Sequence, residues 1–249
     1  MKNDIYNHLV GVASERGAAF VVLLDPDKES VGGLSGKIET FQKAGVDAFF
    51  VGGSLVHSAN VEDVIWKIKS STTLPVVGFP GSLNQISRHL DAVLYLSVVS
   101  GRNADMLFGR HVYVAPIIKQ LGIEPIPTAY MLVESGLLTT AQYLNNSLPL
   151  PRSKPDMAAA TALAAEMMGM KLLYLEGGSG AKEPVPTSLI QAVAQTCESP
   201  IAVGGGLTTP NQVRERVEAG ASIVVVGNAI EANGGESFIR EMAAAAHTR

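Results

Sequence analysis

Short apolar runs alternate with segments of helical spacing along the whole chain. Runs rich in β-branched and aromatic residues predict strands at residues 19–25, 46–52, 74–79, 92–97, 124–133, 171–176, 200–204 and 222–227. Several of them lack polar alternation. Val21-Val22-Leu23-Leu24 and Ile223-Val224-Val225-Val226 are apolar at every position, which suits a parallel sheet covered on both faces. Between them, helical spacing predicts helices at 37–44, 61–69, 83–90, 103–120, 157–168, 188–196 and 212–219, with a last one at 236–246. Thr209-Pro210-Asn211 reads as a helix start, with a capping hydroxyl followed by proline in the first turn. Gly45 and Gly220 stand where two helices should end. Eight strands alternating with helices predict an α/β fold, a single (β/α)8 TIM-type barrel taking up residues 1–249 as one domain. Two segments strain the pattern. Only a short helix fits between the third and fourth strands, and residues 135–155 are rich in Asn, Ser and Pro, reading as a long loop with partial helix.

Composition narrows the function. With 47% hydrophobic and 17% charged residues, the chain can bury enough apolar surface to fold. No apolar run reaches the ~18 residues of a membrane span; the most apolar stretch, 157–175, is broken by Glu166 and Lys171. A net charge of −4 argues against a nucleic-acid partner but leaves room for a compact anion held by backbone N–H groups. Cys197 is the only cysteine, which excludes a disulfide framework. With no signal-peptide pattern, a cytoplasmic location is expected.

Barrel chemistry gathers where strands end and βα loops begin. Those positions hold Asp25-Pro26-Asp27-Lys28, Gly52-Gly53-Ser54, Pro80-Gly81-Ser82, Glu176-Gly177-Gly178-Ser179-Gly180, Gly204-Gly205-Gly206 and Gly227-Asn228. The last two clusters follow strands seven and eight, the usual phosphate cradle of barrels, and glycine lets backbone approach an anion. Tight turns are the plainer account of any one of these glycines. Asp25, with Ser54 nearby, offers hard oxygen ligands for Mg²⁺; from spacing alone, a turn-capping Asp25 and a solvent pair of Asp27 with Lys28 serve equally well. Glu176 closes a strongly apolar strand as either a general base or an anchor for loops. His8, His57, His89, His111 and His247 lack metal-ligand spacing and read mostly as surface or loop residues, His57 being near a strand mouth.

Taken in order, Leu24-Asp25-Pro26-Asp27-Lys28, Val51-Gly52-Gly53-Ser54, the run from Tyr174 to Gly180, Val203-Gly204-Gly205-Gly206-Leu207 and Val226-Gly227-Asn228 resemble the geranylgeranylglyceryl phosphate synthase family. That family includes bacterial heptaprenylglyceryl phosphate synthases. The resemblance spans about residues 20–231. It implies a modified TIM barrel and a Mg²⁺-dependent prenyltransferase joining a prenyl diphosphate to sn-glycerol 1-phosphate. It assigns Asp25 and Ser54 to the metal. Tyr174, Leu175, Glu176, Gly177, Gly178, Ser179, Gly180, Gly205, Gly206, Gly227 and Asn228 go to glycerol phosphate, with Glu176 as the base. It implies small-molecule substrates, a homo-oligomer and a peripheral membrane contact for release of a lipid product.

By the same resemblance, residues 98–111 influence tail length, and Met106 stands near a position where archaeal-type members often have Trp. Gly178 departs from members with a larger residue there. The Gly-Gly-Ser-Gly loop favours a geranylgeranyl donor over a longer, heptaprenyl-type one. Two other classes compete, a phosphate-binding barrel isomerase or aldolase and a non-catalytic phosphometabolite-binding protein. An aldolase wants a lysine inside the barrel, and Lys171 begins strand six at the wrong end.

Overall fold

A computed structural model describes residues 4–57 and 60–249. Eight parallel strands close into a barrel in sequence order: β1 (Ala19–Leu24), β2 (Ala48–Val51), β3 (Val76–Gly78), β4 (Ala92–Val98), β5 (Glu124–Leu132), β6 (Leu172–Glu176), β7 (Ile201–Gly204) and β8 (Ile223–Val226), with β8 pairing back onto β1. Each overlaps its expected run. The apolar strands β1, β2 and β8 are buried on both faces because one face fills the barrel and the other lies under helices. The alternation divides the core in two. Val21, Phe50, Leu94 and Tyr174 fill the interior, while Val22, Phe49, Val93 and Leu175 pack outward.

The outer layer comprises α2 (Leu34–Lys43), α3 (Val61–Ser70), α4 (Arg110–Leu121), α5 (Thr140–Asn145), α6 (Pro155–Met167), α7 (Thr187–Thr196), α8 (Pro210–Glu218), α9 (Asn228–Asn233) and α10 (Glu236–Ala246). Among the described residues no helix is long and apolar enough to cross a membrane. The start of α8 is built as its sequence indicates. Thr209 caps it, Pro210 opens it, and the Thr209 hydroxyl accepts from the Gln212 N–H at 3.3 Å, a device worth ~1 kcal/mol. The 135–155 segment is a loop holding α5, itself begun by a Thr139–Gln142 capping box.

Three features depart from expectation. The helix expected at 83–90 is only a 3₁₀ turn, Leu83–Gln85. Gln85 leaves the helical pattern because its buried amide holds two loops: Oε1 accepts from Gly53 N at 3.2 Å and Gly81 N at 3.3 Å, and Nε2 donates to Gly53 O at 2.9 Å. The helix expected over 103–120 begins as a π-turn, Asp105–Gly109, before α4. An additional helix, α1 (Asp4–Arg16), lies at the N-terminal end of the barrel. The Glu124 carboxylate of β5 accepts from two N–H groups of its first turn, Ile5 N at 2.8 Å and Tyr6 N at 3.0 Å.

Two histidines also differ from a surface reading. His111 is 7% exposed, and burial pushes its pKa down. His247 Nε2 lies 2.8 Å from Asp47 Oδ2 and ties α10 to the barrel floor.

Candidate active site

At the C-terminal end of the barrel lies a cavity of about 540 Å³. Asp25, Ser54, Tyr174, Glu176, Gly178, Ser179, Gly180, Gly205, Gly206, Gly227 and Asn228 all line it. The parallel register explains the convergence: Leu132 pairs with Glu176, and Glu176 with Gly204, so β5, β6 and β7 end level. Two of the named residues stand apart. Leu175 points outward into the layer under the helices, as its place between Tyr174 and Glu176 requires. Gly177 spends its N–H on Gly204 O at 2.9 Å and does not line the cavity.

Glu176 lines the cavity at the end of β6. Its side chain is 6% exposed, and Gly178 N–H donates to Oε1 at 2.5 Å. Burial pushes its pKa up to about 7, against the opposing pull of the Gly178 N–H and the nearby Tyr174 hydroxyl. A carboxyl group poised there exchanges protons near neutrality, the condition for a general base. The Tyr174 hydroxyl is buried beside the Glu176 carboxylate without a well-formed hydrogen bond. Tyr130 of β5 completes the wall, its ring centroid 5.5 Å from that of Tyr174 and 5.9 Å from that of Phe79. No motif marked Tyr130. Its even spacing from Ile126 and Thr128 along β5 is the one signal that it faces inward.

The glycines divide by cause. Gly205 has φ +83°, and a Cβ there would stand 2.5 Å from both Glu176 Oε1 and Gly178 N. Gly178, at φ +97°, would drive a Cβ into Thr139, which explains why no larger residue stands here. At Gly227 a Cβ would meet Leu23 at ordinary contact distance, 3.4 Å or more, so the fold itself leaves room. Gly205→Ala is therefore expected to lose about 1–2 kcal/mol of stability from the left-handed backbone alone and to displace Glu176. Gly227→Ala should keep the wild-type melting temperature. Thermal denaturation of the two variants checks the contrast.

Around Asp25 the expected turn is formed. Oδ1 accepts from Asp27 N–H at 3.1 Å, as a turn cap does, while the residue still lines the cavity. Lys28 pairs with Glu231 of α9 at 2.7 Å and lies 4.0 Å from Asp25 Oδ2. Burial pushes the Asp25 pKa up; the Asp27 N–H and Lys28 oppose this, and the Asp27 and Glu231 charges reinforce it. A half-buried carboxylate crowded by acids is a fitting place for a cation. Among the described residues no three His, Cys, Asp or Glu side chains converge on one point. That donor set suits Mg²⁺, which keeps waters and takes phosphate oxygens in place of a full protein cage.

Away from this polar end the cavity turns apolar. Ile86, Val93 and Tyr95 line one side and Met106, Val114 and Ile118 the other. The groove lies between β4 and α4, with the Tyr95 and His111 rings 4.5 Å apart. It exists because the 3₁₀ turn after β3 leaves uncovered the sheet face where a barrel helix would pack. Lys171 lies elsewhere, its Nζ 5.8 Å from the ring of Tyr6 on α1, so it supplies no amine to this cavity.

A buried carboxyl group, glycine-lined loops after β6, β7 and β8, and an adjoining apolar groove suit a TIM-barrel enzyme that handles a phosphorylated substrate together with an apolar one. Residues 11–246 match the PcrB family, and the chain belongs to it. It is 43% identical over 247 residues to the geranylgeranylglyceryl phosphate synthase of Chitinophaga pinensis, covering 99% of this chain and 97% of that protein. To the enzyme of the same name from Thermococcus gammatolerans it is 46% identical over 215 residues, covering 86% and 84%. The crystal structure of (S)-3-O-geranylgeranylglyceryl phosphate synthase from Thermoplasma acidophilum with its substrate sn-glycerol-1-phosphate superposes with a TM-score of 0.92. That comparison covers 100% of both chains at 28% identity.

Proposed function

We propose that this protein is a prenyltransferase that moves the geranylgeranyl group of geranylgeranyl diphosphate onto the C3 hydroxyl of sn-glycerol 1-phosphate. The products are geranylgeranylglyceryl phosphate and diphosphate. The observation that carries this reading is the position of Glu176, a base buried where the glycine-lined polar end of the cavity meets its apolar groove. The relatives named above support it with the same reaction in their names.

In this reading the acceptor phosphate lies on the loops holding Ser179, Gly205, Gly206 and Asn228. Asn228 Nδ2 donates to Ser179 Oγ at 3.2 Å, which fixes the β6 and β8 loops relative to each other. The Tyr174 hydroxyl stands beside the Glu176 carboxylate and steadies it. The acceptor oxygen attacks C1 of the donor, the C1–O bond to diphosphate breaks, and the hydroxyl proton passes to Glu176. Gly178 N–H occupies Oε1, so Oε2 receives the proton. Holding both reactants in contact geometry supplies the orientation term, ~7–11 kcal/mol in well-oriented systems. Asp25 and Ser54 would hold Mg²⁺. When bound, Mg²⁺ neutralises charge collecting on the departing diphosphate. Lys28 adds a positive charge at the same mouth.

The test is incubation with sn-glycerol 1-phosphate, Mg²⁺ and a series of prenyl diphosphates, followed by extraction of lipid product. Product only with sn-glycerol 1-phosphate and a maximum at the C20 donor is expected; no lipid product with any donor would refute the reading. Met106, 8% exposed, lines the groove. Met106→Trp should shift the length profile to shorter donors, because each buried CH₂ it excludes is worth ~0.8 kcal/mol. An unchanged profile would place the tail elsewhere. Self-association, which the family resemblance implies, is checked by light scattering. The product is an amphiphile, and its release toward a lipid surface follows from its chemistry.

A further inference from the structure

The loop after β6 has two limbs. The first, Gly178 to Ala181, lines the cavity. The second, Glu183 to Pro186, leads into α7 and runs against the loop after β7. The two backbones approach closely there. A Cβ at Gly206 would stand 2.9 Å from Pro184 N and 3.1 Å from Glu183 C. Gly206 has φ +74° and itself lines the cavity, so a shift of the second limb is felt directly in the glycine-lined cradle.

Two arginines hold that limb by consecutive carbonyls. Arg152, which precedes α6, donates from Nη2 to Pro184 O at 3.0 Å and from Nη1 to Glu134 O, just past β5, at 3.0 Å. Arg216 of α8 donates from Nε to Val185 O at 3.1 Å. Neither arginine lines the cavity. Arg216 is 7% exposed and pairs with Glu215 at 2.6 Å, while Arg152 Nη2 also meets the exposed Glu183 at 3.0 Å. Burial pushes the Arg216 pKa down and the charge of Arg152 adds to that push, against Glu215. Two cations thus crowd one short stretch of backbone. Surface loops are ordinarily left to local turn chemistry. Here 18 and 32 residues of sequence separate Arg152 from the two carbonyls it joins. A planar guanidinium spans two fixed carbonyls at once, which an ammonium group cannot do with the same geometry.

We propose that Arg152 and Arg216 are positioning residues for the acceptor. They clamp the second limb of the β6 loop onto Gly206 and so set the shape of the phosphate cradle without touching what it holds. That the cradle holds sn-glycerol 1-phosphate rests on the prenyltransferase reading; the clamp rests on the hydrogen bonds.

The experiment compares wild type with Arg152→Met and Arg152→Lys, since the half-buried Arg152 is easier to change without unfolding the protein than Arg216. Arg152→Met should weaken sn-glycerol 1-phosphate binding about tenfold or more in calorimetry, the scale of one charge-assisted hydrogen bond. KM for the acceptor should rise in step and KM for the prenyl diphosphate should hold. Amide hydrogen exchange over residues 177–186 should quicken. Arg152→Lys keeps the charge without the fork and should recover only part of the affinity. Unchanged acceptor affinity in Arg152→Met overturns the proposal. So does full recovery in Arg152→Lys, which would make the effect one of charge. An equal rise in both KM values with a lowered melting temperature also overturns it, leaving Arg152 a stabilising residue alone. Weaker acceptor binding by Arg152→Met, in a protein that forms no prenylated lipid, would support the clamp and refute the prenyltransferase reading.

Discussion

Glu176→Gln should lower kcat by roughly 10²–10⁴-fold, the usual share of a positioned general base. Affinity for sn-glycerol 1-phosphate should stay close to wild type. The amide keeps the side-chain shape and still accepts the Gly178 N–H through its oxygen, but it cannot take the acceptor's proton. Calorimetry with sn-glycerol 1-phosphate and turnover on the same preparation separate the two effects. Wild-type turnover would remove Glu176 from the base role. The pH dependence has a definite sign. The base must be ionised, so kcat/KM should rise with pH through about 7, the Glu176 value in the free protein. Stability runs the other way. The folded pKa of about 7 lies above the ordinary 4.5, so stability is full below 4.5 and is lost as pH rises through 7. Above that, an ionised Glu176 costs the fold about 3 kcal/mol. Glu176→Gln should therefore melt higher than wild type at pH 8 and no higher at pH 4. An identical difference at both pH values would contradict the burial of this charge.

Asp25→Ala should slow turnover by roughly 10²-fold or more, the scale of losing one group that stabilises charge in the transition state. It should also raise the Mg²⁺ concentration needed for half-maximal rate. The fold should lose little. Asp25 is only half-buried at a loop mouth, its carboxylate accepts from Asp27 N–H, and removing that carboxylate relieves crowding by Asp27 and Glu231. The measurements are Mg²⁺ titrations of rate and of heat for the two proteins, with a melting curve for each. An unchanged Mg²⁺ titration and rate would leave Asp25 as a turn cap alone.

The sequence by itself determined the barrel. Strand positions follow from apolar runs that need cover on both faces, and helix ends follow from Thr209-Pro210 and from glycines, all of which act within a few residues. It also made the convergence of Asp25, Glu176 and the glycine clusters legible, because they sit where strands end and a parallel barrel puts every strand end on one face. Within β6, alternation alone separates Tyr174 and Glu176, which face inward, from Leu175, which does not.

What the tertiary structure decided depends on contacts between distant parts of the chain. Glu124 accepts from the first turn of α1 across 119 residues of sequence, so a helix with weak apolar spacing is held by a residue far away in the chain. Gln85 ties the β2 and β3 loops together and replaces an expected helix with a short turn, which opens the groove between β4 and α4. The strained backbone at Gly205 is demanded by Glu176 and Gly178 beside it, whereas Gly227 meets no such neighbour. The proton affinity of Glu176 is also a tertiary property, since burial is set by everything that closes around a carboxylate and by nothing adjacent to it in the chain.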